Sequence, residues 1–378
     1  MTSQSMPRFG RMLQEAYLAR GHQVQVWSPQ ALVVNWVPRS RLSKWAGYVD
    51  QYILFPLWVR QQLKQQPAEV LYVFCDQAQG PWVPLVKGRH HVVHAHDLLA
   101  LRSALGEVPQ NPTGFTGRIY QRYILSGFRQ ARHFICVSNR TRQDLERVGG
   151  VPAIACAVVY NGLNQRFAPT PLAKAHSLLR EANLPVPEQG LLLHLSGAQW
   201  YKNVTGVLRL YAHYVRQQAN PLPLWLVGVP QTDAIRVALA EVPKQGMVHF
   251  LYGIDHDLLQ AVYSTARAFL FPSLAEGFGW PIVEAQACGC PVITTDDSPM
   301  NEIGGPEARY LPLLRPTDDP QAWAAHGAKV LADLLAATPA EQARRSVACV
   351  AWATRFDADL AIDNYLGIYQ RVLTGNSV

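Results

Sequence analysis

Leu270-Phe271-Pro272-Ser273-Leu274-Ala275-Glu276-Gly277-Phe278-Gly279-Trp280-Pro281-Ile282-Val283-Glu284-Ala285-Gln286-Ala287-Cys288-Gly289-Cys290-Pro291-Val292-Ile293-Thr294-Thr295 is the stretch that decides the fold. Ala268-Phe269-Leu270-Phe271 is an apolar run long enough for a buried strand, and Pro272 and Ser273 end it. Gly277 and Gly279 let the backbone bend and approach a ligand closely. Pro281 suits the first turn of a helix, Ile282 to Ala287 continue it, and Gly289 and Pro291 stop it before a second strand ending at Thr295. The order is strand, glycine loop, helix, strand. In open α/β sheets ligands bind beyond the carboxyl ends of strands, and a helix start favours an anion. Glu276 lies on the loop, and Glu284, eight residues on, returns near the same helix face at ~3.6 residues per turn. Two carboxylates beside an anion-binding helix start suit a ligand that carries both phosphate and hydroxyl groups.

The chain has 378 residues, enough for two domains, and 49% of them are hydrophobic, enough for sizeable cores. No apolar run approaches the ~18 residues of a membrane-spanning helix. The start Met1-Thr2-Ser3-Gln4-Ser5-Met6-Pro7 lacks the apolar segment of a signal peptide. Of six cysteines, Cys288 and Cys290 stand too close for a usual zinc pair, and the set reads as reduced core residues of a cytoplasmic protein. The net charge of +7 is uneven: +10 over residues 1–160 and −3 over the remainder. A basic first half points to an acidic partner, either an anionic membrane surface or a phosphate-bearing acceptor; no nucleic-acid motif is present.

The remaining chain extends the α/β pattern. Pro7 to Arg20 reads as a helix, with Phe9, Leu13, Ala16 and Tyr17 on one face, followed by a strand over Val24 to Trp27. Arg41 to Gln65 is aromatic, basic and divided by Pro56, and reads either as a core-facing helix pair or as a segment at a lipid interface. Glu69 to Cys75, His91 to Ala95, His133 to Val137 and Ala155 to Tyr160 are expected strands, with a basic helix over Thr116 to Gln130 and Ser138 as a helix cap. His94 and His96 share a strand face, without a Cys or Glu partner at metal-site spacing. A second α/β pattern has strands at Leu191 to Ser196, Leu224 to Val227, Val248 to Leu251 and Ala308 to Leu311. Its helices are Val204 to Gln217, Asp257 to Ala266, Pro320 to Leu335 and Pro339 to Phe356, and Asp296 to Gly305 reads as a loop. A last helix spans Asp357 to Leu373.

The run E-G-F-G-x-P-x-x-E-A-x-A-x-G-x-P-V from Glu276, with its acids eight apart, closely resembles the signature of retaining glycosyltransferases of family 4, which have the GT-B fold. Asn161-Gly162-Leu163-Asn164-Gln165-Arg166-Phe167 resembles the family's interdomain junction. The resemblance implies an α/β chain of two Rossmann-like domains facing a central cleft. It sets an acceptor-binding domain at 1–162, a nucleotide-sugar domain at 163–356 and a terminal helix at 357–378 that packs back on the first. It implies transfer of a hexose-type sugar, such as mannose or glucose, from a nucleotide-diphosphate sugar to an acceptor hydroxyl with retained anomeric configuration. No metal or other cofactor is expected. A glycan or lipid-linked acceptor of polysaccharide or lipopolysaccharide synthesis, at the inner face of the plasma membrane, follows from the family's habits and the basic first half.

By the same resemblance Lys202 and the backbone of Gly277, Phe278 and Gly279 meet the diphosphate, Glu276 the donor sugar and Glu284 the ribose. Asn203, Ile282, Tyr252 and Ile254 line the donor site. His96, from the H-x-H-[DE] segment, lies beside the sugar, and Asp97, Gln4 and Ser5 are acceptor-side candidates. Two departures stand out. The family's loop arginine is missing, with Ala198 or Gln199 in its place, which leaves Arg267 or an arginine of the first domain to compensate. The chain also begins where the family's first strand should have ended, so that either the start lies upstream or the strand is lost. An inactive nucleotide-sugar-binding protein and a nucleotide-sugar epimerase of the same fold are the alternatives.

Overall fold

The computed structural model describes residues 5–37, 41–163, 165–197 and 199–375, with the backbone alone at Ser5 and Arg41. The chain divides into two compact units, Met1–Asn164 with Ala358–Val378, and Gln165–Asp357.

The first unit is built on four parallel strands, β1 (Tyr72–Phe74), β2 (His91–Ala95), β3 (Phe134–Cys136) and β4 (Cys156–Val158), in the order β1-β2-β3-β4. β2 is buried along its whole length, as its unbroken apolar run with two histidines requires once both faces are covered. The helix Ser5–Ala19 buries Phe9, Leu13 and Tyr17, spaced by four, against Val92 and Ile135 of the sheet and against Tyr365, Ile368 and Tyr369 of the helix Ala358–Leu373. Each such side chain contributes about 1.5–3 kcal/mol on burial. A polar line runs through this apolar seam. Tyr17 donates to the Tyr369 hydroxyl at 2.9 Å, and that hydroxyl lies 2.6 Å from His94 Nε2. Burial pushes His94 down to about 3, with nearby His96 adding to the shift, so the ring is neutral.

The strand expected over Val24 to Trp27 does not form, and these residues join no sheet. Their side chains lack the two-residue period of a half-buried strand: Val24 and Trp27 turn toward the unit while Val26 is exposed. Trp27 instead packs edge-on against Trp58 at 5.4 Å and beside Tyr72. The expected strand Glu69 to Cys75 shortens to β1. The aromatic-basic segment forms the helices Arg41–Val49 and Phe55–Leu63, joined by a wide π-helical turn at Asp50–Leu54. The wide turn stands just ahead of Pro56, which has no N–H to donate to the preceding turn.

The second unit holds six parallel strands, β5 (Leu191–Leu195), β6 (Leu224–Val227), β7 (Val248–Leu251), β8 (Ala266–Phe271), β9 (Val292–Thr295) and β10 (Arg309–Leu311). Their order is β7-β6-β5-β8-β9-β10. The chain winds outward from β5 in one direction, returns, and winds outward from β8 in the other. This is the doubly wound dinucleotide-fold order, and its switch point lies between β5 and β8. The helix Val204–Arg216 buries an almost continuous face against this sheet and the helix Pro320–Leu335. The expected loop 296–305 contains a short helix, Met300–Gly304. The expected helix Pro339 to Phe356 ends at Ala353 and closes with a 3-10 turn to Phe356.

Candidate functional site

Two loops leave the switch point. The turn after β5 ends in a 3-10 turn, Trp200–Lys202, and Asn203 at φ +53°. The loop after β8 runs from Pro272 to Gly279. They are sewn together by backbone and side chain: Leu274 N–H donates to the Tyr201 carbonyl at 2.7 Å, and buried Asn203 Nδ2 donates to the Pro272 carbonyl at 3.1 Å. The Asn203 carboxamide lies over Gly206, where a Cβ would come within 2.3 Å of its Oδ1. Thr294 and Thr295, at the end of β9, donate to the carbonyls of Phe271 and Ser273 and hold the β8 loop from its other side.

This stitching brings Lys202 and Glu276 together across 74 residues of sequence. Lys202 Nζ donates to Glu276 Oε1 at 2.7 Å, and both side chains are largely covered. The ammonium also lies over the ring of Phe271, 4.9 Å from its centre, and near that of Tyr201 at 5.3 Å. A cation held on aromatic faces beside a single carboxylate can exchange that partner for an incoming anion without moving into water.

Glu284 sits in the helix Trp280–Ala287, which follows Gly279 at φ +105°. A Cβ there would press on Ile282 as well as adopt a backbone that L-residues avoid. Glu284 Oε2 accepts from the hydroxyl of buried Tyr263 at 3.0 Å. Tyr263 falls within the helix expected over Asp257 to Ala266; the signal that it does more than pack is its hydroxyl, which needs a partner once buried.

A histidine missed at the sequence level lies beneath the β5 turn. His194 Nδ1 is 2.7 Å from the Leu270 carbonyl, which only accepts, so Nδ1 carries the proton. Nε2 therefore accepts from the Ser196 hydroxyl at 2.8 Å. Burial pushes this ring down to about 4, the Leu270 carbonyl opposes the shift and the Lys202 charge reinforces it. A neutral His194 thus ties β5 to β8 within reach of the Lys202 charge.

The family description "Glycosyl transferases group 1" matches residues 177–346, and "Glycosyltransferase Family 4" matches residues 8–167. The chain belongs to the group 1 glycosyltransferases. It is 25% identical over 218 residues to the O-antigen chain mannosyltransferase B of Escherichia coli, across 57% of this chain and 56% of that protein. The chain thus spans about half the length of this curated relative in the matched region. Among solved structures it is similar to the sucrose-phosphate synthase of Thermosynechococcus elongatus, with a TM-score of 0.68 and 21% identity over 97% of this chain and 93% of that one. It is also similar to Anabaena HepE in complex with UDP and glucose, with a TM-score of 0.63 and 16% identity over 94% and 87%. These likenesses give the GT-B fold, of two Rossmann-like halves.

The family's other positions fall unevenly. Phe278 is buried and packs edge-on against Trp280 and Phe356, so its ring anchors the loop. Ile282 is fully buried and its N–H already donates to the Gly279 carbonyl, so it shapes the wall rather than offering a donor. Tyr252 and Ile254 follow the edge strand β7, with the Tyr252 hydroxyl donating to the Val229 carbonyl at 2.7 Å.

In the first unit His96 follows β2. Its Nε2 donates to the Cys75 carbonyl at 2.9 Å and its ring packs edge-on against Phe9. Burial lowers its basicity, against a smaller opposing effect of the Cys75 carbonyl and the Asp97 charge. Asp97 Oδ1 accepts from Leu99 N–H at 3.0 Å at the start of the helix Leu99–Ala104. Gln4 lies outside the described residues. Ser5 opens its helix, and its side chain is not among those described.

Of the positions considered for the missing arginine, Ala198 lies outside the described residues, and the Gln199 amide folds back beside Gly197. Arg267 cannot substitute. It is the second residue of β8 and lies along Gly190, at the amino end of the sheet. Four residues of strand, roughly 13 Å, separate it from the end where the loops meet. Among the described residues no group of three or more His, Cys, Asp and Glu side chains could hold a metal ion, and no helix is long and apolar enough to cross a membrane.

Proposed function

We propose that this protein moves a hexose-type sugar, such as mannose or glucose, from a nucleotide-diphosphate sugar to an acceptor hydroxyl with retained anomeric configuration and without a metal ion. The observation that carries this reading is the Lys202–Glu276 pair at the β5/β8 switch point. The diphosphate takes Glu276's place at Lys202. Released from the ammonium, Glu276 accepts hydroxyls of the donor sugar, while Glu284, oriented by Tyr263, accepts those of the ribose. As the glycosidic bond lengthens, negative charge grows on the leaving diphosphate. Lys202 and the N–H groups of the Gly277–Gly279 loop stabilise that charge, which lowers the barrier because the field is already in place. The leaving phosphate accepts the acceptor proton on the same face of the sugar. His96 serves as a neutral hydrogen-bonding group beside the donor and not as a general acid, in keeping with its buried ring. Asp97, Gln4 and Ser5 belong to the acceptor side of this reading.

The O-antigen mannosyltransferase likeness and the basic first half support a glycan or lipid-linked acceptor of polysaccharide or lipopolysaccharide synthesis at the cytoplasmic membrane face. The test is thermal-shift binding across UDP-, GDP-, ADP- and dTDP-sugars, followed by NMR of the product anomer. Stabilisation by one nucleotide class, lost in Glu284→Ala, and an α-linked product from an α-donor are expected. An inverted product would refute retention, and indifference to every nucleotide would refute the donor site.

A further inference from the structure

Residues 16–68 contain one acidic side chain, Asp50, and residues 108–143 contain none. Asp50 is withdrawn from the surface. It is buried, and its carboxylate accepts the N–H groups of Leu32, Val33 and Val34 at 3.2, 2.8 and 3.1 Å. Burial alone would raise this carboxyl, and the three donors more than offset that and leave it lowered. The carboxylate thereby pins the short turn Val34–Trp36, on which Trp36 is 90% exposed. A large aromatic fixed outward on a tethered turn is not a loose loop side chain.

Other exposed apolar side chains stand on segments packed next to this turn or joined to its neighbour. Trp45, 65% exposed, stands on the helix Arg41–Val49 beside Tyr48. On the helix Phe115–Phe128, Phe115 and Ile119 are 78% and 51% exposed and share one face at a spacing of four. The two helical segments are joined by tyrosines: Tyr48 stacks on Tyr120 at 6.2 Å, and the Tyr52 and Tyr120 hydroxyls are 2.7 Å apart. Lys44, Arg118 and Arg122 are exposed on the same two segments, and none is paired with a carboxylate among the described residues.

We propose that this face of the first unit docks on an anionic lipid bilayer. Trp36, Trp45, Phe115 and Ile119 enter the boundary between headgroups and acyl chains, and Lys44, Arg118 and Arg122 meet lipid phosphates. Apolar anchorage and basic charge together make such binding stable where either alone is weak, and aromatic rings favour that depth. Charge decides against a second copy as the occupant. A two-fold interface would set these unpaired cations against themselves, with no acid on the face to meet them. The inference deepens the reading of a lipid-linked acceptor and rests on it for its purpose, but its test does not depend on turnover.

The test is co-sedimentation of the full chain with phosphatidylcholine vesicles and with equimolar phosphatidylcholine–phosphatidylglycerol vesicles, at low and high salt. Binding to the anionic vesicles, weakened by salt, is expected. Trp36→Ser/Trp45→Ser and Arg118→Glu/Arg122→Glu each weaken it at least tenfold. Lys174→Glu/Arg180→Glu, which changes net charge equally on exposed residues of the second unit, leaves it unchanged. Equal loss in that control, no vesicle binding by the wild type, or a concentration-dependent dimer abolished by Trp36→Ser/Trp45→Ser would each overturn the proposal. Stabilisation by nucleoside diphosphates, read on the same samples, separates the two readings: its absence with vesicle binding intact refutes the donor site alone.

Discussion

The two units share a parallel-sheet plan and use the carboxyl ends of their strands in opposite ways. In the second, the order β7-β6-β5-β8-β9-β10 reverses direction once, and the loops on either side of the reversal bring Lys202 against Glu276. In the first, the described strands follow in sequence, β1-β2-β3-β4, without a reversal. There the polar residues that follow β2 are bonded within their own unit: His96 Nε2 donates to the Cys75 carbonyl and Asp97 accepts from Leu99 N–H. A switch point leaves a crevice because neighbouring strands send their helices to opposite faces. Without one, a polar side chain at a strand end finds partners in its own framework. The difference is one of topology: at the reversal, side chains of two separate loops meet across 74 residues of sequence, whereas those that follow β2 bond within their own framework.

The comparison is broken most readily at Lys202. Lys202→Ala should lower kcat by about 10²–10³-fold, the usual scale for losing one group that stabilises developing charge. Asp97→Ala should leave kcat within a few-fold, and equal losses at the two positions would erase the contrast.

Acid comes next. His94 and His194 are buried as neutral rings in the first and second unit, with basicities of about 3 and about 4 against an ordinary 6.5. The unfolded chain therefore binds a proton at each position before the native chain does. Stability is full above pH ~6.5 and falls as the pH drops toward the folded values. Between pH 7 and pH 5 each histidine should cost about 2 kcal/mol. Urea unfolding at both pH values should show His94→Gln and His194→Gln each removing part of that slope. A slope unchanged in both would mean that neither ring is held neutral.

Smaller effects sharpen the contrast. Asp97→Ala should cost about 1 kcal/mol of stability through the lost cap, read as a lower urea midpoint with the same m-value. Tyr263→Phe should raise the donor KM about twofold to threefold with little change in kcat, since water can replace one hydroxyl at a partly exposed Glu284. A fall in kcat alone would place Tyr263 in the reaction rather than behind Glu284.

Much of this was legible along the chain. The run from Ala268 to Thr295 shows its strand, loop, helix and strand through Pro272, Gly279, Pro281 and Gly289, because each acts on its own neighbours. Ser138 caps its helix for the same reason, by accepting from Thr141 N–H. What escaped was non-local. Val24 to Trp27 has strand-forming residues, but Val26 found no partner face. Arg267 stands close in sequence to the Glu276 loop, yet lies a strand's length from it, at the amino end of β8. Tyr263 and Asp50 take their roles from partners distant in sequence, Glu284 and the backbone of Leu32 to Val34.

The central claim is that the donor's diphosphate replaces Glu276 at Lys202. Calorimetric titration of the wild type, Glu276→Gln and Lys202→Ala with the preferred nucleoside diphosphate, lacking a sugar, tests it directly. The account expects Glu276→Gln to bind tighter than the wild type by a few-fold, because the lysine no longer has a charged competitor. Lys202→Ala should bind at least tenfold weaker. Equal affinities in all three would contradict the claim and detach the ion pair from donor recognition.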